Sequence, residues 1–439
     1  MRPLLLALLL VSSCAGAAET TRVTQIFNDP TPVSQALAQG DVAALRQLQV
    51  NATNTVVKKM ARAAERRVLL DVPGAREASD ECIQMAQQTT HLAGLTVCGA
   101  LRAGVEVVAG DLPAWARLSM QARERVRAAA EKRGKTLGNV DVFTRIPDYA
   151  AMAGRPAPKV DSSGKGRIAM HTGTVTVASS QDHDGGRVAY PNMAQLQIDG
   201  KTVEVLVDTG SALTIVHPAA ITAPPLMEGF TLSGVLGDSQ QRSRIAQPQT
   251  LQFGPLIISQ PLVSVSERIP ANLLGLDVLS RLGRVLIGKD GLQVLAEGSA
   301  APACDAPMFS AADLSGTQTV PRLFITVDGK RQEAMLDTGN SGELMEALPI
   351  GVALPPGSVQ HSVVQGVQGQ QRRASVAREA VVQTLDGSAE LQISTSTGNH
   401  PSKTRYVLGG GSLRKVSIYL DFITNKACLM SSGSTQSAQ

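Results

Sequence analysis

Ile198-Asp199-Gly200-Lys201-Thr202-Val203-Glu204-Val205-Leu206-Val207-Asp208-Thr209-Gly210-Ser211 is echoed further along the chain by Val327-Asp328-Gly329-Lys330-Arg331-Gln332-Glu333-Ala334-Met335-Leu336-Asp337-Thr338-Gly339-Asn340. Asp199 to Asp328 and Asp208 to Asp337 are both separations of 129 residues. Each block reads as a hairpin: a strand, an Asp-Gly turn, then an apolar strand that delivers Asp-Thr-Gly at its end. One Asp-Thr-Gly arises by chance in roughly one chain of this length in ten. Two of them, in register with a second matched tripeptide, indicate a duplicated β unit.

Further matches extend the duplication. Gly234-Val235-Leu236-Gly237 corresponds to Gly366-Val367-Gln368-Gly369, each a glycine-rich hairpin tip after its aspartate. Leu273-Leu274-Gly275 corresponds to Val407-Leu408-Gly409, and each is expected to lead into a short helix and a last strand. These residues resemble the aspartic peptidase clan that includes retropepsins and pepsins, over roughly residues 165 to 430. Asn272-Leu273-Leu274-Gly275-Leu276-Asp277-Val278-Leu279 is especially similar to the retropepsin-like form. The resemblance implies a mainly β fold of two pseudo-symmetric retropepsin-like acid-protease lobes in one polypeptide, preceded by an all-α N-terminal domain. It also implies a catalytic unit that is monomeric, without metal or other cofactor.

The resemblance makes Asp208 and Asp337 the catalytic pair. Two carboxylates within hydrogen-bond distance cannot both ionise easily, so they share a proton. The charged member can then deprotonate a bound water while the neutral one protonates the peptide carbonyl of an extended polypeptide substrate. Gly210 and Gly339 would admit backbone N–H groups close to the carboxylates. The resemblance has Thr209 and Thr338 hydrogen-bonding across the two loops, and Ser211 donating to the outer oxygen of Asp208. Asn340 stands where the family has Ser, Thr or Ala, and its amide retains donors. Gly234, Gly237, Gly366 and Gly369 would tip flaps, and Gly275 and Gly409 would pack beneath the catalytic loops. Neither tip carries the aromatic residue of pepsin flaps, and Gly409-Gly410-Gly411 replaces the Gly275-Leu276-Asp277 of the first half. Such divergence keeps open a second reading, a catalytically degenerate peptide-binding or scaffold protein of the cell envelope.

Outward from the repeat, the pattern divides the chain into 1–18 as a signal peptide, 19–150 as a helical domain and 151–166 as a linker. Residues 167–300 form the first lobe, 301–432 the second, and 433–439 a disordered tail. In the helical part Leu95, Cys98, Leu101, Val105 and Val108 recur at helical spacing, as do Trp115, Leu118, Ala122, Val126 and Ala129. The stretch from Gly40-Asp41 resembles that from Gly110-Asp111, a faint repeat similar to tetratricopeptide-type hairpins; a plain bundle fits equally. This part could recruit a protein partner or substrate, inhibit the lobes, or support them. Gly154 to Pro158 and Asp161 to Gly166 are too poor in apolar residues to pack.

Arg2 and the apolar run Leu4 to Val11 predict export, ending either at a signal-peptidase site near Ala15-Gly16-Ala17 or at a lipidated Cys14, since Val11-Ser12-Ser13-Cys14 resembles a bacterial lipobox. The expected location is the bacterial periplasm, with outer-membrane lipoprotein as the alternative and that lipid as the sole membrane anchor. Four cysteines remain; pairing Cys82–Cys98 and Cys304–Cys428 is favoured, with four buried thiols as the alternative. A formal charge of +4 without a long basic run gives no electrostatic footprint for nucleic acid. The six histidines are scattered, no His-Glu-x-x-His occurs, and Asp182-His183-Asp184 reads as a solvated turn before it reads as a metal site. No Gly-x-Ser-x-Gly elbow or phosphate-binding loop is present.

Overall fold

A computed structural model describes residues 31–134, 149–177, 186–233, 240–296, 298–299, 301–349, 351–366, 369–397 and 404–432. The export segment with Cys14, the Asp182-His183-Asp184 loop, the tip glycines Gly234 and Gly237, and the tail 433–439 lie outside the described residues. No helix among the described residues is long and apolar enough to cross a membrane.

The described chain begins with helices α1 (Thr31–Gln39), α2 (Val42–Asn51), α3 (Thr55–Val68), α4 (Val72–Gln88), α5 (Leu92–Val108) and α6 (Leu112–Glu131). Four of their turns share one chemistry. Gly40, Leu70, Thr90 and Gly110 take positive φ, and the next residue caps the following helix. The side chains of Asp41, Asp71, His91 and Asp111 accept the N–H groups of Ala44, Gly74, Gly94 and Ala114 at 2.9–3.0 Å. The echo between Gly40-Asp41 and Gly110-Asp111 is therefore part of a fourfold series. Its middle copies, Leu70-Asp71 and Thr90-His91, have lost the sequence likeness but kept the geometry.

From Lys159 the chain is β-rich. The expected linker is corrected here. Ala150–Ala153 is a helical turn, and Lys159–Ser162 pairs antiparallel with Leu256–Ser259 as an edge strand. Edge pairing uses backbone groups, so scarcity of apolar side chains did not prevent it. Both Asp-Gly turns form as expected, with φ of 49° and 78° at Asp199-Gly200 and 49° and 76° at Asp328-Gly329. Each turn aspartate also accepts a distant N–H, Asp199 from Thr250 at 2.9 Å and Asp328 from Val381 at 3.0 Å. These matched bonds make the duplication structural.

In each unit a short strand slots in beside the aspartate-bearing strand. Leu273–Leu274 runs parallel to Lys201–Val207, and Tyr406–Gly409 runs parallel to Lys330–Asp337. Arg284–Gly288 of the first unit pairs antiparallel with Val416–Asp421 of the second, within a five-stranded sheet shared by both halves. One apolar core runs beneath the two units and includes Val205, Val207 and Leu274 with Ala334, Leu336 and Leu408.

The helices are bonded to both lobes. Arg67, 2% exposed, donates to the carbonyls of Leu314 at 2.7 Å and Asp313 at 2.6 Å. Its burial lowers the guanidinium pKa to about 10, against the opposing pull of Asp313. Trp115 Nε1 donates to Ser315 O at 2.8 Å, and Arg281 of the first lobe reaches Gly110 O at 2.8 Å.

Cys82–Cys98 and Cys304–Cys428 are both disulfides, spanning 16 and 124 residues. Chain-entropy reasoning assigns about 3 kcal/mol to the shorter loop and about 4–5 kcal/mol to the longer. Denaturant unfolding with and without a thiol reductant is expected to show a clear drop in midpoint on reduction. An unchanged midpoint would count against a stabilising role for either bond.

Candidate active site

The strand Lys201–Val207 ends immediately before Asp208, and Lys330–Asp337 ends on its own aspartate. Each loop is held from below. Asp208 N donates to Leu274 O at 3.0 Å, and Gly410 N donates to Asn340 O at 2.7 Å. A Cβ on Gly275 would strike the Leu213 backbone, and one on Gly409 the Gly342 carbonyl. Both positions therefore need glycine for close approach, as the repeat implies.

The two loops meet. Thr209 N donates to Thr338 Oγ1 at 3.0 Å, and Thr338 N donates to Thr209 Oγ1 at 3.0 Å. The hydroxyls pass their own protons onward, Thr209 to Leu336 O at 3.1 Å and Thr338 to Val207 O at 2.7 Å. Every donor and acceptor in this fully buried crossing is used. Above it, the Asp208 and Asp337 carboxyls come together: a Cβ on Gly210 would lie 2.4 Å from Asp337 Oδ1 and 3.1 Å from Asp208 Oδ1. Asp208 is 8% exposed and Asp337 partly exposed. Gly210 N donates to Asp208 Oδ1 at 2.8 Å, and the Gly339 N–H serves both carboxyls. A Cβ on Gly339 would lie 2.5 Å from the Asp208 carboxyl carbon.

Electrostatics separate the pair. Burial pushes Asp208 up to about 6, opposed by N–H donors from Gly210, Gly339 and Ser211 and by the bond with Asp337. Asp337 is raised well above the usual carboxylate range, first by burial and then by the negative charge of Asp208. Burial and mutual charge hold both carboxyls above the usual range, and one proton is shared by the pair.

Two expectations are corrected. The Ser211 hydroxyl does not reach the outer oxygen of Asp208; it donates to Leu213 O at 2.6 Å, and the Ser211 N–H donates to the Asp208 main-chain carbonyl at 3.3 Å. The local turn offered a nearer acceptor. Asn340 likewise does not donate its amide to Asp337. Its Oδ1 accepts from Gly342 N at 2.8 Å, its Nδ2 contacts Met345 Sδ, and its backbone N–H donates to the Asp337 main-chain carbonyl at 3.0 Å. Gly366 and Gly369 pair across the tip of the hairpin Val359–Gly366/Gly369–Thr384, in the position expected of a flap.

A family model described as "gag-polyprotein putative aspartyl protease" matches residues 194–281, a span that holds Asp208 and Gly275. Over that span the chain is similar to an aspartyl protease. No curated protein matches the chain. Among solved structures it is similar to an aspartic proteinase from Irpex lacteus, at 12% identity and a TM-score of 0.38, over 63% of this chain and 100% of that one.

The site contains residues that sequence reasoning missed. Asn192 is fully buried, and its Nδ2 donates to Val207 O at 2.6 Å and Thr338 O at 2.9 Å, tying both catalytic loops to one side chain. The repeat could not reveal it, because the matching position in the second half is Pro321. Tyr190 is held up to about 12 by burial and then by the charges of Asp208 and Asp337. Asp277 accepts from Thr214 Oγ1 at 2.8 Å, and burial raises it to about 6. Its place two residues after Gly275 was the available signal. Among the described residues no cluster of His, Cys, Asp and Glu could hold a metal ion.

Proposed function

We propose that the protein is an aspartic endopeptidase that hydrolyses peptide bonds of exported or cell-envelope proteins through a water activated by Asp208 and Asp337. The observation that carries this reading is the meeting of the two Asp-Thr-Gly loops, which the threonine crossing locks so that the Asp208 and Asp337 carboxyls converge beside Gly210. Asp208, as the charged member, takes a proton from water bound between the carboxyls. Asp337 gives its proton to the peptide carbonyl, and a tetrahedral intermediate forms without a covalent link to the enzyme. Proton return to the leaving nitrogen breaks the C–N bond. Hairpins such as Val359–Gly366/Gly369–Thr384 offer main-chain groups for an extended substrate.

Two disulfides favour an oxidising compartment, which agrees with export to the periplasm; Cys14 would add a lipid anchor if the lipobox is used. Both aspartates come from one chain, so the catalytic unit is proposed to be a monomer, and light scattering on active protein should give one chain's mass. Activity confined to a dimer fraction would overturn this.

The displaced Ser211 hydroxyl supports a second reading, a peptide-binding protein that does not cut. Digestion of envelope proteins by wild type, Asp208→Ala and Asp337→Ala separates the two. Cutting by wild type alone is expected; equal survival of every substrate with all three proteins would favour binding.

A further inference from the structure

Strand register lays out one face of the first lobe. Met193 lies opposite Leu206, Leu206 beside Leu273, and Leu273 opposite Ile215. The row continues through Ser264 and Ile245 to Met227, on the strand Pro225–Ser233. Laterally registered residues share a face, and alternate residues point the other way. Val205, Val207 and Leu274 accordingly join the core beneath, while the row belongs to a separate cluster. Leu206 precedes Asp208 by two residues, so the row forms the apolar wall next to the catalytic carboxylate.

That wall is covered by residues from outside the lobe. Trp115, Tyr149 and Met152 are in the same buried cluster as Leu206, Leu273, Ile215 and Met227. Tyr149 and Met152 are 6% and 0% exposed. The Tyr149 ring lies against Trp115 at a 55° tilt with centroids 4.7 Å apart, Arg117 Nη1 donates to Ala153 O at 3.3 Å, and the turn Ala150–Ala153 packs on Pro225–Ser233. The second lobe has the corresponding row Met335, Val407 and Met345, and among the described residues its cluster adds Val320 alone and no helical residue. The asymmetry is a property of this chain, because the duplicated lobes alone would present two similar walls.

We infer that Tyr149 and Met152 are specificity-determining residues. They fill the apolar wall beside Asp208 and restrict the substrate residue on that side of the scissile bond to small side chains. The inference rests on the peptidase reading above. Arg67, Trp115 and Arg281 anchor the helices to both lobes, which fixes Trp115 and the Tyr149 ring against this wall.

The test is a cleavage-site profile, read by mass spectrometry from a denatured protein mixture digested with the full chain. Wild type should show one position flanking the cut limited to Gly, Ala or Ser. Met152→Ala should admit Val, Leu or Met at that position, with about a tenfold gain in kcat/KM on matched peptides differing only there. Met152→Leu should keep the wild-type profile. If melting shows Met152→Ala to be unfolded, Tyr149→Leu supplies the same reading. A profile unchanged in a folded variant, or a rate change uniform over all peptides, overturns the inference, since a merely structural role would alter rate without preference. A wild type that cuts with no restriction sinks this inference alone; one that cuts nothing sinks the peptidase reading and this inference with it.

Discussion

Asp208→Asn and Asp337→Asn should each lower kcat/KM by about 10³-fold or more while making the protein more stable at neutral pH. The loss follows because an amide can neither take a proton from water nor give one to a carbonyl at useful rates. The gain follows from linkage. Both aspartates have folded-state pKa values raised above the unfolded ones, chiefly by burial. A raised group contributes stability that is fully present below the unfolded pKa, near 4, and is lost as pH rises through the folded pKa. For Asp208 that window runs from about 4 to about 6; for Asp337 it extends higher. At pH 7.5 the wild type therefore carries two carboxyls that ionise more readily unfolded than folded, and each variant carries one fewer, a difference on the order of 2 kcal/mol. At pH 4 the difference should vanish. Thermal melts at the two pH values check the sign, and an equal melting temperature for wild type and variants at pH 7.5 would contradict the shared-proton site. The same coupling predicts a bell-shaped pH–rate profile whose alkaline limb reports loss of the shared proton and lies well above the usual carboxylate range.

Thr338→Val should be the most damaging substitution outside the carboxyls. Valine keeps the shape and removes one hydroxyl, which accepts from Thr209 N and donates to Val207 O. The Thr209 N–H is then buried without its acceptor, at a cost of about 2–4 kcal/mol. The loops bearing Asp208 and Asp337 also lose part of their mutual alignment, and a shift of about 1 Å is enough for roughly a hundredfold fall in rate. Thr338→Ser keeps the hydroxyl and should recover most of both properties. Urea unfolding and steady-state kinetics on the pair of variants check this. If valine behaves like serine, the crossing is incidental to both stability and catalysis.

The hairpins are the most legible part of the sequence, because the information there is local and written twice. Asp199-Gly200 and Asp328-Gly329 specify their turns by residues that accept positive φ, and the strand after each turn carries its aspartate to the end by simple count. The threonine crossing was legible only through the family resemblance, and its bonds match that expectation. Ser211 was misjudged because its hydroxyl had two acceptors within reach, and a motif does not say which is nearer. The linker was misjudged because side-chain composition says little about a strand held by backbone bonds at a sheet edge.

Sequence alone determined that two copies of an aspartate-bearing β unit lie in one chain, since turn chemistry, strand alternation and spacing act over a few residues and need no partner. Tertiary structure alone decided how the copies differ. Asn192 reaches under both aspartate loops, burial raises both carboxyls with the Asp208 charge adding to it at Asp337, and Tyr149 and Met152 cover the apolar row beside Leu206. Each of these depends on groups far apart along the chain arriving at one place, where burial and charge act through space.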